Sequence, residues 1–151
     1  MSQERCEVWL YHLERATLEQ VVPELLEKTL SRGWRARIRA DTRQRIEAID
    51  AWLWTYRDDS FLPHGMAGDP LAERQPILLG EGDGNPNHAQ VLFVVDTEPG
   101  DIGDFARCIV VFEGRDEAAL AAARDLWSRY RNAGHGVTYW RQGEQGWEKR
   151  A

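Results

Sequence analysis

The sequence is poor in the features that define several large classes of protein. It has two cysteines in 151 residues, Cys6 and Cys108, and neither has a second cysteine or a histidine at metal-ligand spacing. Both lie in apolar runs that predict strands. We therefore expect two reduced thiols in a hydrophobic core, with no disulfide and no metal site.

The chain also lacks a net positive charge and a long apolar run. The net charge is −6, whereas non-specific nucleic-acid binding depends on lysine and arginine facing phosphates, so no direct nucleic-acid binding is expected. No apolar stretch approaches the length of a membrane span, and the first seven residues contain no apolar signal region. These absences predict a cytoplasmic protein without a membrane segment.

Phosphate-binding and nucleophile motifs are missing from the chain. G-x-G-x-x-G, G-x-x-x-x-G-K-[ST] and G-x-S-x-G do not occur. The turn after the first predicted strand, residues 12–17, has no glycine, and its Glu14 would repel a phosphate. We predict that the protein has no catalytic activity and no cofactor.

Hydrophobic patterning predicts alternating strands and helices. Strands are predicted over 6–13, 34–40, 76–79, 91–96, 107–112 and 137–140, and helices over 17–31, 42–56 and 116–133. This order is typical of a three-layer α/β fold, with a mostly parallel sheet and helices on both faces, Rossmann-like but without a nucleotide loop. We expect one domain over residues 1–151, with a polar tail that frays from about residue 142 unless Trp147 docks on the domain.

Two of the predicted strands have patterns that also predict their position in the sheet. The segment 34–40 (WRARIRA) alternates apolar and basic residues, which predicts a strand near a sheet edge with one face in water. The segment 91–96 (VLFVVD) is continuously apolar until its final aspartate, which predicts a strand covered on both faces.

The predicted helix over 116–133 carries two distinct faces. Small and apolar residues form one stripe, which contains Ala119, Ala122, Ala123, Leu126, Tyr130 and Ala133. A second face, rotated by about 100°, carries residues at spacing i, i+4, i+7 and i+11. These residues are Leu120, Arg124, Trp127 and Arg131.

Tryptophan and arginine side chains on one helix face suit a peptide that is both acidic and aromatic. Arginine binds carboxylates through paired N–H groups, and an apolar pair can bury a ring. In the alternative interpretation, Trp127 packs on a neighbouring loop and the arginines form a solvated face. Arg129 adds a third positive charge nearby, and Asp125 a negative one.

A second apolar cluster combines Trp54 with the following segment 60–64, which contains Phe61, Leu62 and Pro63. Trp54 lies off the buried stripe of its predicted helix, so the cluster is either a partner surface or a loop packed on its own domain.

A competing hypothesis is a small α/β enzyme that acts on a phosphate- or carboxylate-bearing substrate. It would use Asp96 at the end of a strand, His64, or the glycines of segment 80–84 (GEGDG). The glycine-free turn over 12–17 disfavours this hypothesis. His64 and His135 would have to meet at one end of the sheet for a histidine-based site.

Several motifs occur in an order that is similar to a known family. They are Trp52-Leu53-Trp54, Ser60-Phe61-Leu62-Pro63-His64 with Gly68, Asn87-x-Ala89-Gln90-Val91-Leu92, Gly114-Arg115-Asp116 and Tyr130-Arg131-Asn132-Ala133-Gly134. Together they resemble the chi subunit family of bacterial DNA polymerase III from about Glu7 to Trp140. The resemblance implies a nucleotide-free α/β fold that serves as an accessory subunit of the clamp loader.

The resemblance also implies two protein partners. One is the acidic C-terminal tail of single-stranded-DNA-binding protein, which ends in phenylalanine. Carried over by position, its site comprises Leu120, Arg124, Trp127, Ser128 and Arg131, with Tyr130 beneath.

The second implied partner is the psi subunit, and Trp54, Phe61, Leu62 and Pro63 are the residues expected to contact it. The chain departs from the family pattern at Ser128, where the best-studied branch has lysine, and at Trp127, where it has tyrosine. The missing positive charge at position 128 is expected to weaken binding of the tail or to shift the bound tail toward Arg129.

Overall fold

The computed structural model describes residues 6–56, 62–82, 84–95, 97–143 and 146–150. Within them the strands are β1 (Glu7–Leu13), β2 (Ala36–Ala40), β3 (His64–Met66), β4 (Ile77–Gly80), β5 (Val91–Val95), β6 (Arg107–Glu113), β7 (Val137–Gly143) and β8 (Gly146–Lys149). The α-helices are α1 (Leu18–Ser31), α2 (Arg43–Trp54) and α3 (Glu117–Asn132), and Ala72–Arg74 forms a short 3-10 helix.

All of these strands belong to a single sheet in the order β3-β4-β2-β5-β6-β1-β7-β8. Neighbouring strands run parallel, except that β7 and β8 pair antiparallel. The first strand, β1, lies between β6 and β7, and its Leu10 is in register with Val110 and Tyr139. The α/β fold predicted from the alternating pattern is confirmed.

The sheet carries a hydrophobic core on each face, because residues along a strand point alternately to opposite sides. On β1, Tyr11 and Leu13 pack with α1 and α2, whereas Val8 and Leu10 pack with α3. The central strands β2, β4 and β5 are buried along their whole length. This is the burial expected of parallel strands that are covered on both faces.

Each helix begins at a residue that the sequence marks as a cap. Thr17 accepts a hydrogen bond from the Gln20 amide in a capping box at the start of α1, and Thr42 and Asp116 cap α2 and α3 through their side chains. α1 continues through Pro23 and ends next to Gly33, whose φ is +77°. Among the described residues, no helix combines the length and the apolar character needed to cross a bilayer.

The prediction of a wet edge strand over 34–40 is wrong. β2 is central in the sheet, and both of its arginines are nearly fully buried. Arg37 donates to the carbonyls of Gly80 and Gly82, and Arg39 donates to those of Gly82, Gly84, Pro99 and Asp101. The guanidinium groups therefore serve as internal donors that hold the loops after β4 and β5.

The C-terminal segment also differs from the expected frayed tail. β7 extends to Gly143, and β8 adds an antiparallel edge strand after it. The Trp147 ring lies edge-on to Tyr11 at 4.9 Å, and Trp140 stacks on Tyr11 at 6.3 Å. Aromatic packing against β1 thus orders a segment whose polar composition predicted disorder.

Candidate functional site

The predicted binding residues lie on α3, beside the residues that this helix buries. Ala123 and Leu126 are the buried residues of this helix. Arg124, Ser128 and Arg131 are exposed, whereas Leu120 and Trp127 are half-buried. Helical spacing places Arg124, Trp127 and Arg131 on one face, and the exposure of the two arginines agrees with that placement.

Three of these side chains line one shallow cavity of about 320 Å³. Arg124, Trp127 and Ser128 form its helical wall, and Tyr139 of β7 forms the opposite side. The Arg131 guanidinium lies over the Trp127 ring at 4.7 Å from the centroid, which fixes the outer face of the indole. Leu120 is on the same helix face but does not line the cavity.

The expectation that Tyr130 lies beneath this face is wrong. Tyr130 packs edge-on against His135 at 5.3 Å and does not line the cavity. Tyr139, and not Tyr130, lies against the cavity beside Trp127. The sequence pattern could have predicted this position of Tyr139. Side chains of the predicted strand VTYW point alternately to the two faces of the sheet, and α3 must pack on one of those faces.

Tyr139 is held by a buried histidine. Its hydroxyl lies 2.5 Å from His12 Nδ1, and the His12 ring is 9% exposed. Burial lowers the pKa of His12 and raises the pKa of Tyr139, so a protonated phenol facing a neutral imidazole is favoured. Gly114 makes room for the ring, because a Cβ there would lie 1.8 Å from His12 Nε2.

Charge on α3 is divided between paired and unpaired arginines. Arg129 is engaged, with Nη2 2.9 Å from Glu98 Oε2 and Nε 2.7 Å from Asp125 Oδ2. Arg124 and Arg131 have no carboxylate partner within the part of the chain that the structure describes. The prediction that Arg129 compensates for the missing charge at Ser128 is therefore disfavoured, since Arg129 would have to leave two acidic partners.

The surface that is predicted to contact the psi subunit is only partly exposed. Trp54 is 60% exposed and its ring lies 4.7 Å from that of His64, and Pro63 is half-buried. Leu62 is 2% exposed and belongs to the core between the sheet and α2, so its expected place on a partner surface is wrong. Phe61 lies outside the described residues.

The residues of the competing enzyme hypothesis do not converge. His64 is bound to Asp50 at 3.0 Å and to the Leu62 carbonyl, and His135 is bound to the Cys6 carbonyl. In the sheet, five strands lie between β3, which contains His64, and β7, which begins after His135. Asp96 lies outside the described residues, and within them no three histidine, cysteine or acidic side chains are grouped as a metal site would need.

The glycine segment after β4 also presents the wrong groups for a phosphate. Its carbonyl oxygens at Gly80, Gly82 and Gly84 accept hydrogen bonds from Arg37 and Arg39. A phosphate loop instead directs its N–H groups toward the ligand. The segment is thus organised from within by two arginines.

The turn between β1 and α1, where a nucleotide-binding α/β protein holds phosphate, is already filled. The Gln142 side-chain oxygen accepts hydrogen bonds from the backbone amides of Glu14, Arg15 and Ala16 at 2.8–3.1 Å. Three consecutive amides around one oxygen form an anion-binding geometry. Here a neutral carboxamide from β7 occupies that geometry and attaches the C-terminal strands to α1.

Replacing Gln142 by alanine is expected to lower the free energy of unfolding by about 1–3 kcal/mol, because three amides lose their acceptor and two of them are shielded from water. Gln142→Glu keeps an oxygen acceptor and places negative charge at the start of α1, so its effect is expected to stay below about 1 kcal/mol. Urea denaturation of both variants tests this, and equal losses would contradict an acceptor role for the carboxamide.

Comparison with known proteins gives consistent matches. The family model of DNA polymerase III chi subunit, HolC, matches residues 6–138. The chain is 33% identical over 118 residues to the DNA polymerase III subunit chi of Pseudomonas aeruginosa, which covers 77% of this chain and 80% of that relative. It is 31% identical over 86 residues to the probable DNA polymerase III subunit chi of Rickettsia prowazekii, which covers 57% and 52% of the two chains.

Proposed function

Since the chain belongs to the DNA polymerase III chi subunit family, we propose that it is a non-catalytic accessory subunit of the clamp loader in the cytoplasm. In this proposal it binds the acidic C-terminal tail of single-stranded-DNA-binding protein on α3, and it binds the psi subunit through a second surface. The two contacts couple the replicase to the protein-coated lagging strand.

One observation carries the proposed tail site. Two exposed arginines without carboxylate partners in the described residues, Arg124 and Arg131, flank a tryptophan beside a cavity of about 320 Å³. An aromatic side chain at the tip of a tail could enter the cavity between Trp127 and Tyr139, where rings favour edge or offset contacts. The neighbouring carboxylates would then bind the two guanidinium groups.

The surface proposed for psi rests on Trp54. A tryptophan that is 60% exposed is costly to leave in water, and tryptophan is enriched among the residues that dominate interfaces. Pro63 lies close in sequence to His64, whose ring contacts Trp54. Leu62 is better assigned to the core that supports this surface.

Titration calorimetry with an acidic peptide that ends in phenylalanine tests the tail site directly. We expect saturable one-to-one binding that weakens as salt is raised from about 50 to 300 mM, because exposed charges are screened over that range. The same peptide without its terminal phenylalanine is the control and is expected to bind at least about tenfold more weakly, since burying a ring contributes more than about 1.4 kcal/mol. Equal affinity for both peptides would contradict a ring-binding cavity.

A further inference from the structure

A second cavity, of about 80 Å³, lies on the α1 face of the sheet, opposite the face that α3 covers. It opens where β1 and β6 begin and α1 ends. Its charged and aromatic lining consists of Trp9, Tyr11, Lys28, Arg32, Trp34 and Arg107. Neither the mechanism proposed above nor the packing of the core uses these three cations together.

Cations cover the indole faces of this cavity. The Arg107 guanidinium lies 3.8 Å from the Trp9 ring centroid and 5.3 Å from that of Trp34, and the Arg32 guanidinium lies 5.7 Å from Trp34. These contacts hold the arginines in place. They also cover the indole faces, so a nucleobase cannot stack on them. What remains available is the N–H groups of the guanidinium edges, which bind oxyanions.

The charge around the cavity is not balanced. Arg107 Nη2 lies 3.3 Å from Glu7 Oε2, whereas its Nε is buried without an acceptor. Lys28 and Arg32 have no carboxylate partner among the described residues. Three cations and one carboxylate leave a local charge of about +2, which matches a dianion.

A tyrosine completes the lining. Tyr11 is 6% exposed, and its hydroxyl has no hydrogen-bond partner within the residues that the structure describes. Burial raises the pKa of Tyr11 to about 12, although Arg107 and Arg32, which line the same cavity, act in the opposite direction. The hydroxyl is therefore protonated and can donate a hydrogen bond to an anion in the cavity that Tyr11 lines.

We propose that this cavity is a binding site for a phosphate group, held by Lys28, Arg32 and Arg107 and by a hydrogen bond from the Tyr11 hydroxyl. Its volume equals roughly that of two to three water molecules, which accommodates a tetrahedral oxyanion but not a heterocyclic ring. The site is independent of the proposed tail site, which lies on the other face of the sheet.

Nitrogen-15 NMR of the full chain, titrated with inorganic phosphate at constant ionic strength, tests the proposal. We expect saturable shifts of the indole N–H signals of Trp9 and Trp34 and of the Arg107 side chain. Tyr11→Phe, which removes only the hydroxyl, is expected to weaken binding about tenfold, because hydrogen bonds to charged groups are stronger than neutral ones. Arg32→Gln is expected to abolish saturation, and Arg43→Gln, on the exposed start of α2, to leave it unchanged.

Two results would overturn the site: shifts that rise linearly without saturation, or equal phosphate affinity in the wild type and in Tyr11→Phe. A melting curve of each variant shows that it folds, so a lost signal is attributable to the ligand. A second arm compares a short oligonucleotide with and without a 5′-phosphate as competitors. Displacement by the phosphorylated form alone indicates a terminal phosphate as the natural ligand, and displacement by neither indicates free phosphate.

Discussion

Arg39→Ala is expected to lower the free energy of unfolding by about 3–5 kcal/mol, the largest effect of any single substitution considered for this chain. The guanidinium is 3% exposed and donates to the carbonyls of Gly82, Gly84, Pro99 and Asp101. Alanine would leave those carbonyls without their donor and open a void in the middle of the sheet.

Arg39→Lys keeps the charge but has one donor group where arginine has a planar fork, so an intermediate loss is expected. Arg43→Ala is the matched control, because it removes an exposed arginine and is expected to change stability by less than about 0.5 kcal/mol. Denaturation with guanidinium chloride measures the free energy of unfolding of all three variants. A loss for Arg39→Ala no larger than that of the control would show that the loop carbonyls find water instead.

Trp127→Ala and Arg124→Ala are each expected to weaken binding of the acidic, phenylalanine-ended peptide by more than about tenfold, equivalent to about 1.4 kcal/mol. The first substitution removes a wall of the cavity, and the second removes a guanidinium that lines it. The loss at Arg124 should shrink as salt is raised, whereas the loss at Trp127 should persist, because screening acts on charge and not on apolar contact.

Calorimetry on the two variants, with Arg43→Ala as a charge-matched control on α2, separates a local effect from a change in net charge. Near-UV circular dichroism checks that Trp127→Ala leaves the core intact, since Trp127 also contacts the core beneath α3. If both variants bind as tightly as the wild type, α3 is not the tail site and the proposed function loses its supporting observation.

The sequence predicted the order of elements because its strong signals are local. The caps Thr17, Thr42 and Asp116 act within a few residues, and the three helices lie within the predicted ranges 17–31, 42–56 and 116–133. The antiparallel strand β8 was missed because its order depends on Trp147 packing against Tyr11, more than 130 positions away in the chain.

The error over β2 has a different physical cause. An alternation of arginine with apolar residues predicts one face in water, because charged groups are rarely buried. Arg37 and Arg39 are exceptions, since carbonyls from two distant loops accept hydrogen bonds from their guanidinium groups. Those loops are not near β2 in sequence, and no pattern within seven residues could reveal them.

The candidate site was predictable to the extent that it lies on one helix. Spacing predicted that Arg124 and Trp127 lie together, but Tyr139 comes from a strand that is packed beside α3 and is remote from these residues in the helical pattern. The same limit applies to Arg129, whose partner Glu98 lies 31 positions away. Helical periodicity predicts which residues are neighbours on one helix, but it does not predict which other element packs beside that helix.

The anchoring of Tyr139 by His12, with Gly114 behind the ring, has a consequence for selectivity. A receptor whose inner wall is already fixed has little rearrangement left to make, so the entropic cost of association falls on the incoming chain end. Such a wall also cannot expand for a bulkier guest. Exchange of the terminal phenylalanine for tryptophan should therefore be tolerated less well than exchange for leucine, even though indole offers more apolar surface.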